Sequence, residues 1–374
     1  MHIAIIGKGT SAIISALNCI KRGHQVTFFY DPATPHINVG ESTTPVIHKL
    51  IYDALGVCSH RLIQEGIASY KMGINFVDWG VGKKFYHNFA GESWAIHFDT
   101  KIFNDYIHNY LSEHRKASYV GKRVEDAQNI LNEYDFVINC AGWEDESSYI
   151  DPVFKSVNAA VLFTEQLNMD CYDDTLRTLH LATEDGWQFG LPFPSQNIIK
   201  CGYLFDKNLT SHSEVEKKIS GKVYETFSWT PRYAKELIPE QRISINGNRL
   251  FFIEPLQALS LDYTNLFSEF ICDYLEDPTE ENRRCTNSRY LQDMWAYQIS
   301  LAYHYQFGSI HDSKFWNDIT KNAKDMMKYQ FNGPKEVFEH NLKLETDTRG
   351  GIQVCKMGIF TWEDHQYLQE GMKN

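Results

Sequence analysis

The segment GKGTSA at 7–12 sets two glycines, two hydroxyls and a closing alanine directly after a short apolar run, HIAII at 2–6, and at the start of a stretch with helical spacing over 10–22. That pattern suits a phosphate. Gly7 permits a tight turn, Gly9 removes the side chain that would block a pyrophosphate, and Ala12 is small enough to let helix and strand approach. The helix start, with Thr10 and Ser11, offers backbone donors and the positive end of the helix dipole. Asp31 closes a second apolar run, QVTFFY at 25–30, where a carboxylate can accept from ribose hydroxyls. A glycine-rich turn without a ligand has the same letters, but strand, helix and acidic partner together favour dinucleotide binding. A second polar segment, VGESTTPVI at 39–47, reads as a loop of small hydroxyl residues that enters a helix at Pro45. Thr43 or Thr44 would cap that helix, and Gly40, Glu41, Ser42 and Thr43 suit contact with a phosphate or flavin edge.

These segments need a scaffold, and the periodicities supply one. The runs at 2–6, 25–30 and 134–142 have the continuous apolar character of strands buried on both faces, and 100–116 carries apolar residues at helical spacing. Strand-like runs (INFVDW, KFYHNF, AAVLF, RISI) fill the middle, and 262–276 and 289–306 are long amphipathic stretches. The expected fold is α/β: a Rossmann-like nucleotide-binding core with an inserted β-rich region and a helical C-terminal part, forming one interleaved unit over 1–374. The core takes 1–50, 97–150 and 245–280, the β-rich substrate region 60–96 and 155–244, and the helical part 281–374.

Composition narrows the class. At 43% hydrophobic and 14% aromatic the chain can bury a large core, which excludes disorder. A net charge of −12 without any dense Lys/Arg block argues against a nucleic-acid partner. The eight cysteines are scattered with no zinc spacing, so no metal is expected and reduced thiols point to a reducing, cytoplasmic setting. No apolar run approaches the ~20 residues a membrane span needs. The apolar start is interrupted by glycines and lacks a basic lead, so it reads as structure rather than a secretory signal.

Followed along the chain, GKGTSA and VGESTTP resemble the opening of the flavin-dependent halogenases of the tryptophan halogenase family, where the corresponding stretches hold FAD. The resemblance continues in order through SYKMGINFVDW (69–79), FYHNFAG (85–91), DFVINCAGW (135–143), GWQFGLP (186–192), GNRLFFIEPLQALSL (247–261) and HYQFGSIHDSKFW (304–316). It implies Lys71 as the catalytic lysine and His87 and Phe89 as walls of the aromatic substrate pocket. It also implies a second flavin and halide segment, with Gly247 and Asn248 toward FAD and Leu259 and Ser260 toward halide. Trp187 matches the family's tryptophan-rich signature; Phe189 stands where a second tryptophan is usual. Two aromatics at alternate strand positions share one face, so core packing explains them as well as a wall between substrate and flavin does.

By that resemblance, FADH2 from a separate flavin reductase, oxygen and halide give hypohalous acid, which reaches Lys71 and halogenates an electron-rich aromatic. A lysine in an aromatic-lined interior would have a depressed pKa, although solvated lysines are the commoner case. The chain departs from the family at Gln257, which replaces the glutamate thought to assist the lysine: Gln257 can hydrogen-bond but cannot act as a base. Glu254 is an available substitute carboxylate. The chain is also shorter than the tryptophan-specific members, which argues against free tryptophan as substrate. Two alternatives remain open: a flavin monooxygenase of the same fold, although Gly247-Asn248 replaces its usual Gly-Asp pair, and an FAD-binding protein that has lost its chemistry. A homo-oligomer through the helical third is also open, and the abundance of Asn, Lys, Ile and Tyr suits an AT-rich genome such as that of a phage or marine bacterium.

Overall fold

The computed structural model describes residues 1–34, 40–82, 84–89, 93–142, 148–167, 174–331, 356–357 and 360–373. Val39, Ala90, Gly91, Trp143, Cys171, Cys355 and the stretch 332–355 of the expected helical part lie outside the described residues.

At the centre is a five-stranded parallel sheet in the order β17 (Ile243–Ile245), β9 (Phe136–Asn139), β1 (His2–Ile6), β2 (Gln25–Phe29), β8 (Ala117–Val120). The continuous apolar runs read from the sequence are its central strands, because a parallel sheet is covered on both faces. Helix α1 (Thr10–Lys21) is buried along nearly its whole length, since α6 (Leu259–Glu276) packs against it. Helix α4 (Thr100–Glu113) is capped by Asp99, which accepts from the Lys101 and Ile102 amides at 3.0 and 3.1 Å.

Two further sheets carry the β-rich region. A small antiparallel sheet orders β3 (Gly40–Ser42), β7 (Ala95–Asp99) and β4 (Ala68–Lys71). A seven-stranded sheet runs β15 (Lys222–Ser228), β11 (Ala159–Gln166), β14 (Ile198–Phe205), β13 (Gly186–Phe193), β12 (Thr178–Thr183), β5 (Gly73–Val77), β6 (Lys84–Asn88). A third set, β10 (Tyr149–Ile150), β16 (Arg232–Ala234) and β18 (Phe251–Phe252), ties the two halves together. The remaining helices are α2 (Pro45–Leu55), α3 (Ser59–Gln64), α5 (His212–Glu216), α7 (Glu280–Tyr305), α8 (Lys314–Phe331) and α9 (Trp362–Lys373). A short hairpin, β19 (Lys356–Met357) and β20 (Phe360–Thr361), precedes α9.

Helix α7 begins nine residues before the amphipathic stretch read from 289, because Thr279 caps a polar first turn that shows no apolar spacing. The VGESTTP segment differs more. Residues 40–42 form β3 rather than loop, since their backbone groups find partners along β7. Neither threonine caps α2 through its side chain: the Thr44 hydroxyl donates to Asp262, and the Thr43 hydroxyl bonds the Ile96 backbone.

Asn246 binds core to helices. Its side-chain nitrogen lies 3.1 Å from Ser15 Oγ, 3.1 Å from the Thr264 carbonyl and 2.8 Å from Ser268 Oγ, all buried. Asn246→Ala strands several of these groups without water, so it should lower the unfolding free energy by about 2–3 kcal/mol, read as a shift in the chemical-denaturation midpoint at unchanged slope.

Candidate active site

The glycine turn after β1 is built as a cradle for an anion. Gly7 has φ +122°, and a side chain there would press on the Cys140 backbone at 3.3 Å. At Gly9 a Cβ would meet nothing within 4 Å, so the backbone there is open to a ligand. Gly9 is also the N-cap of α1 and offers no side-chain acceptor, which leaves the first amides of the helix available. Gly247, at φ +63°, comes so close to Ser11 that a Cβ would lie 2.2 Å from its hydroxyl; Asn248 beside it is exposed. Asp31 is half-buried, and one of its oxygens accepts from the Ala33 amide at 2.8 Å. An open glycine, an uncapped helix start and a nearby carboxylate fit the phosphates and ribose of a dinucleotide.

The strand β3 leads from this cradle to Lys71. Gly40 owes its small size to packing, because a Cβ would lie 2.9 Å from Leu191 and 3.2 Å from Lys200. The Glu41 carboxyl is enclosed, and burial pushes it up to about 7 against a smaller opposing pull from Thr10 of the cradle. Ser42 and Thr43 then reach the lysine. Lys71 is fully buried at the end of β4, and its Nζ donates to the Thr43 carbonyl at 3.0 Å and Ser42 Oγ at 3.3 Å. The Phe89 ring lies under the ammonium, 5.4 Å from Nζ to centroid. Burial pulls the amine down to about 7, partly offset by the attraction of Asp262.

The turn after Lys71 is tight: Gly73, at φ +149°, passes so close to β6 that a Cβ would lie 2.3 Å from the His87 carbonyl. His87 faces Ile74 across the strand pair, is buried, and its Nε2 lies 3.0 Å from Asp364 of α9. Trp187 is fully buried against His180, with ring centroids 4.9 Å apart, and 6.4 Å from the half-buried Phe189. Gly202 across the strand makes the space that the Phe189 ring fills. The structure thus gathers Lys71, Phe89, His87, His180 and Trp187 about neighbouring strands.

In the PLQALS segment, Leu256–Ala258 form a short 3-10 turn that leads into α6. Gln257 and Ala258 both take left-handed conformations, at φ +59° and +62°. Gln257 bonds His304 rather than Lys71, its Nε2 lying 2.5 Å from His304 Nε2. His304 Nδ1 faces the Ser300 carbonyl at 2.6 Å and must donate to it, so the other ring nitrogen accepts and the Gln257 amide donates. Leu259 and Ser260 open α6 behind Ala258, whose side chain supplies no cap. Glu254 is buried under the Tyr305 hydroxyl, which donates to its Oε1 at 3.0 Å, and burial pushes it up to about 8.

Three residues of this region escaped the sequence reading. Asp262 is an acid in the first turn of α6, buried, with burial pushing it up to about 6. His180 occupies an inward position of the alternating strand TLHLAT, and burial holds it well below the usual imidazole range. His304 opens the HYQFGSIHDSKFW stretch. Alternation could have flagged His180; the partners of the other two lie about 220 and 50 residues away along the chain. Two surface hollows, about 410 Å³ beside Trp316 and about 430 Å³ between His48 and Trp94, are lined by none of these residues. Among the described residues no cluster is arranged to hold a metal, the six described cysteines are free thiols, and no helix is long and apolar enough to cross a membrane.

Residues 2–127 match the sequence profile of the tryptophan halogenase family. An 80-residue segment is 38% identical to the tryptophan 7-halogenase KtzQ of Kutzneria sp. (strain 744), covering 21% of this chain and 15% of that protein. The fold matches over the whole length. The tryptophan 6-halogenase SttH of Streptomyces toxytricini superposes with a TM-score of 0.79 at 16% identity, over 100% of this chain and 90% of that one. BrvH, a flavin-dependent halogenase from Brevundimonas sp. BAL3, superposes with a TM-score of 0.77 at 16% identity, over 99% of this chain and 89% of that one.

The buried amine sets a pH dependence of stability. Unfolded, a lysine keeps its proton to about pH 10.4; folded, Lys71 releases it near 7. Between those values the unfolded chain holds the extra proton, so this group's contribution to stability rises with pH, and its cost is full below 7. Lys71→Met should therefore stabilise the protein by about 4 kcal/mol more at pH 6 than at pH 10, read from denaturation curves taken across that range. Gln257→Glu places a carboxylate on the His304 ring. The variant should turn that ring into an imidazolium, seen as a raised titration midpoint in nitrogen-15 NMR of the histidine side chains.

Proposed function

We propose that this chain, a member of the tryptophan halogenase family by the sequence of its first third and by its fold throughout, is an FADH2-dependent halogenase that delivers halogen through Lys71 to an electron-rich aromatic ring. The observation that carries the reading is the withdrawn amine of Lys71, held by Ser42 and Thr43 next to Glu41, whose carboxyl bonds Thr10 of the phosphate cradle, and faced by an aromatic ring.

Gly7, Gly9, Thr10, Ser11 and Ala12 would hold the pyrophosphate of FAD, Asp31 the ribose, and Gly247 with Asn248 the far side of the cofactor. Reduced FAD supplied by a separate reductase, with oxygen and halide, provides hypohalous acid. The amides of Leu259 and Ser260 at the start of α6 suit the halide. Lys71 takes the oxidant in one of its two protonation states, both populated near neutral pH. In the first, the ammonium donates a proton to the hypohalous oxygen, which leaves as water as the ring takes the halogen, and the ring's displaced proton returns to the amine. In the second, the neutral amine takes the halogen, and its lost hydrogen leaves with the hydroxyl as water. In the second route the ring gains the halogen and its displaced hydrogen restores the amine. His87 and Phe89 line the aromatic's side of Lys71, and Trp187 with Phe189 keeps organic substrate away from the flavin. A free-thiol, reducing cytoplasmic setting suits the supply of reduced flavin.

The assay combines purified protein, FAD, a flavin reductase with its nicotinamide donor, oxygen, and bromide or iodide with an indole or phenol. Halogenated product is expected, and Lys71→Ala should lower its rate by about a hundredfold or more while FAD binding stays intact. Hydroxylated product without halide dependence would make the protein a monooxygenase; no turnover with any halide would leave an FAD-binding protein, the outcome that the Gln257 to His304 bond favours.

A further inference from the structure

We propose that Asp262 is the acidic partner of Lys71 in this chain, a positioning residue that sets the protonation of the amine through Thr44 and the Thr43–Thr44 peptide. The inference rests on Lys71 as the halogen-delivering group and supplies the carboxylate that the chain lacks at Gln257.

The connection is a continuous set of bonds. Lys71 Nζ donates to the Thr43 carbonyl at 3.0 Å, that carbonyl is joined by its peptide bond to Thr44, and the Thr44 hydroxyl donates to Asp262 Oδ1. Asp262 is buried, so its charge acts through little water. It also lies in the first turn of α6, where the helix dipole favours an anion. The Asp262 and Lys71 charges stabilise each other in both directions.

The other buried acids of the region bond elsewhere, each through one oxygen. Glu254 is bound by Tyr305. Glu41, next to Ser42 on β3, turns toward Thr10. Gln257 carries no charge and is taken by His304. The imidazoles in the field of Lys71, His97 on β7 and His180 on β12, are both held neutral by burial, with the Lys71 charge adding to the effect. His87 and His304 adjoin His180. Asp262 is accordingly the carboxylate whose ionisation Lys71 feels.

The experiment follows Lys71 directly by carbon-13 lysine NMR, its signal assigned with Lys71→Met, in the wild type and in Asp262→Asn, Asp262→Glu and Thr44→Val. Loss of the carboxylate should move the Lys71 midpoint down by about one unit, which is about a tenfold smaller ammonium fraction above the midpoint. Asp262→Glu should restore most of the shift, and Thr44→Val should give an intermediate value. In the halogenation assay, the limb of the pH–rate profile belonging to Lys71 should move to lower pH in Asp262→Asn with KM for the aromatic unchanged. An unmoved midpoint in Asp262→Asn overturns the pairing, and so does an unmoved one in Thr44→Val if the asparagine variant fails to fold. A shifted midpoint in a protein that halogenates nothing upholds the pairing and overturns the proposed function instead, so the two failures are distinct.

Discussion

An amine withdrawn from water needs other partners, and the site is organised around meeting that need for Lys71. An ammonium transferred to a dry interior loses far more than one hydrogen bond returns. Here it receives a carbonyl from Thr43, a hydroxyl from Ser42 and the face of Phe89, an arrangement good enough to keep the charged form accessible and poor enough to bring the pKa to about 7. The amine and its partners are brought together by three separate segments. β4 carries the lysine, the end of β3 carries the carbonyl and hydroxyl, and the chain beyond β6 carries the ring. The small β3–β7–β4 sheet and the close passage at Gly73 are therefore requirements of the amine as much as features of the fold.

β3 does more than satisfy the lysine. Over four residues it touches the cradle through Glu41, the amine through Ser42 and Thr43, and α6 through Thr44. A segment anchored at three places by side chains and along β7 by its backbone has little freedom, so the distance between nucleotide cradle and amine is fixed by covalent geometry. The proposed passage of an oxidant from flavin to amine would need such a fixed separation, which β3 supplies.

The sequence made the nucleotide half readable because its signals are local. The apolar run at 2–6, the two glycines and the helix from Thr10 report on residues within a few positions of one another, and each has the expected structure. The VGESTTP segment misled for the same reason: hydroxyls before a proline are a local cap signal, whereas the threonines spend their hydrogen bonds on Ile96 and Asp262. At Gly40, expected at a flavin or phosphate edge, Leu191 and Lys200 fill the space a side chain would take. Lys71 came from family resemblance alone, since nothing in SYKMG distinguishes a buried lysine from a solvated one. Asp262 and His304 left no usable trace, because their importance depends on Thr44 and Gln257 in three dimensions.

Two of the buried acids of this region, Glu254 and Asp262, show how environment, rather than residue type, assigns roles. Glu254 is enclosed with Tyr305 donating to one oxygen, and burial keeps it largely protonated at neutral pH, near 8. Asp262 is equally withdrawn, yet a threonine hydroxyl, the Lys71 charge and the start of α6 all favour its anion, and it titrates near 6. At pH 7 one is mostly a neutral hydrogen-bonding wall and the other mostly a negative charge beside an amine. Carboxyls whose environments drive their pKa values apart are the usual basis for dividing acid and base duties. A glutamine at 257 is consistent with that division, because it bonds His304 without adding a charge, whereas a carboxylate there would draw that imidazole toward its protonated form.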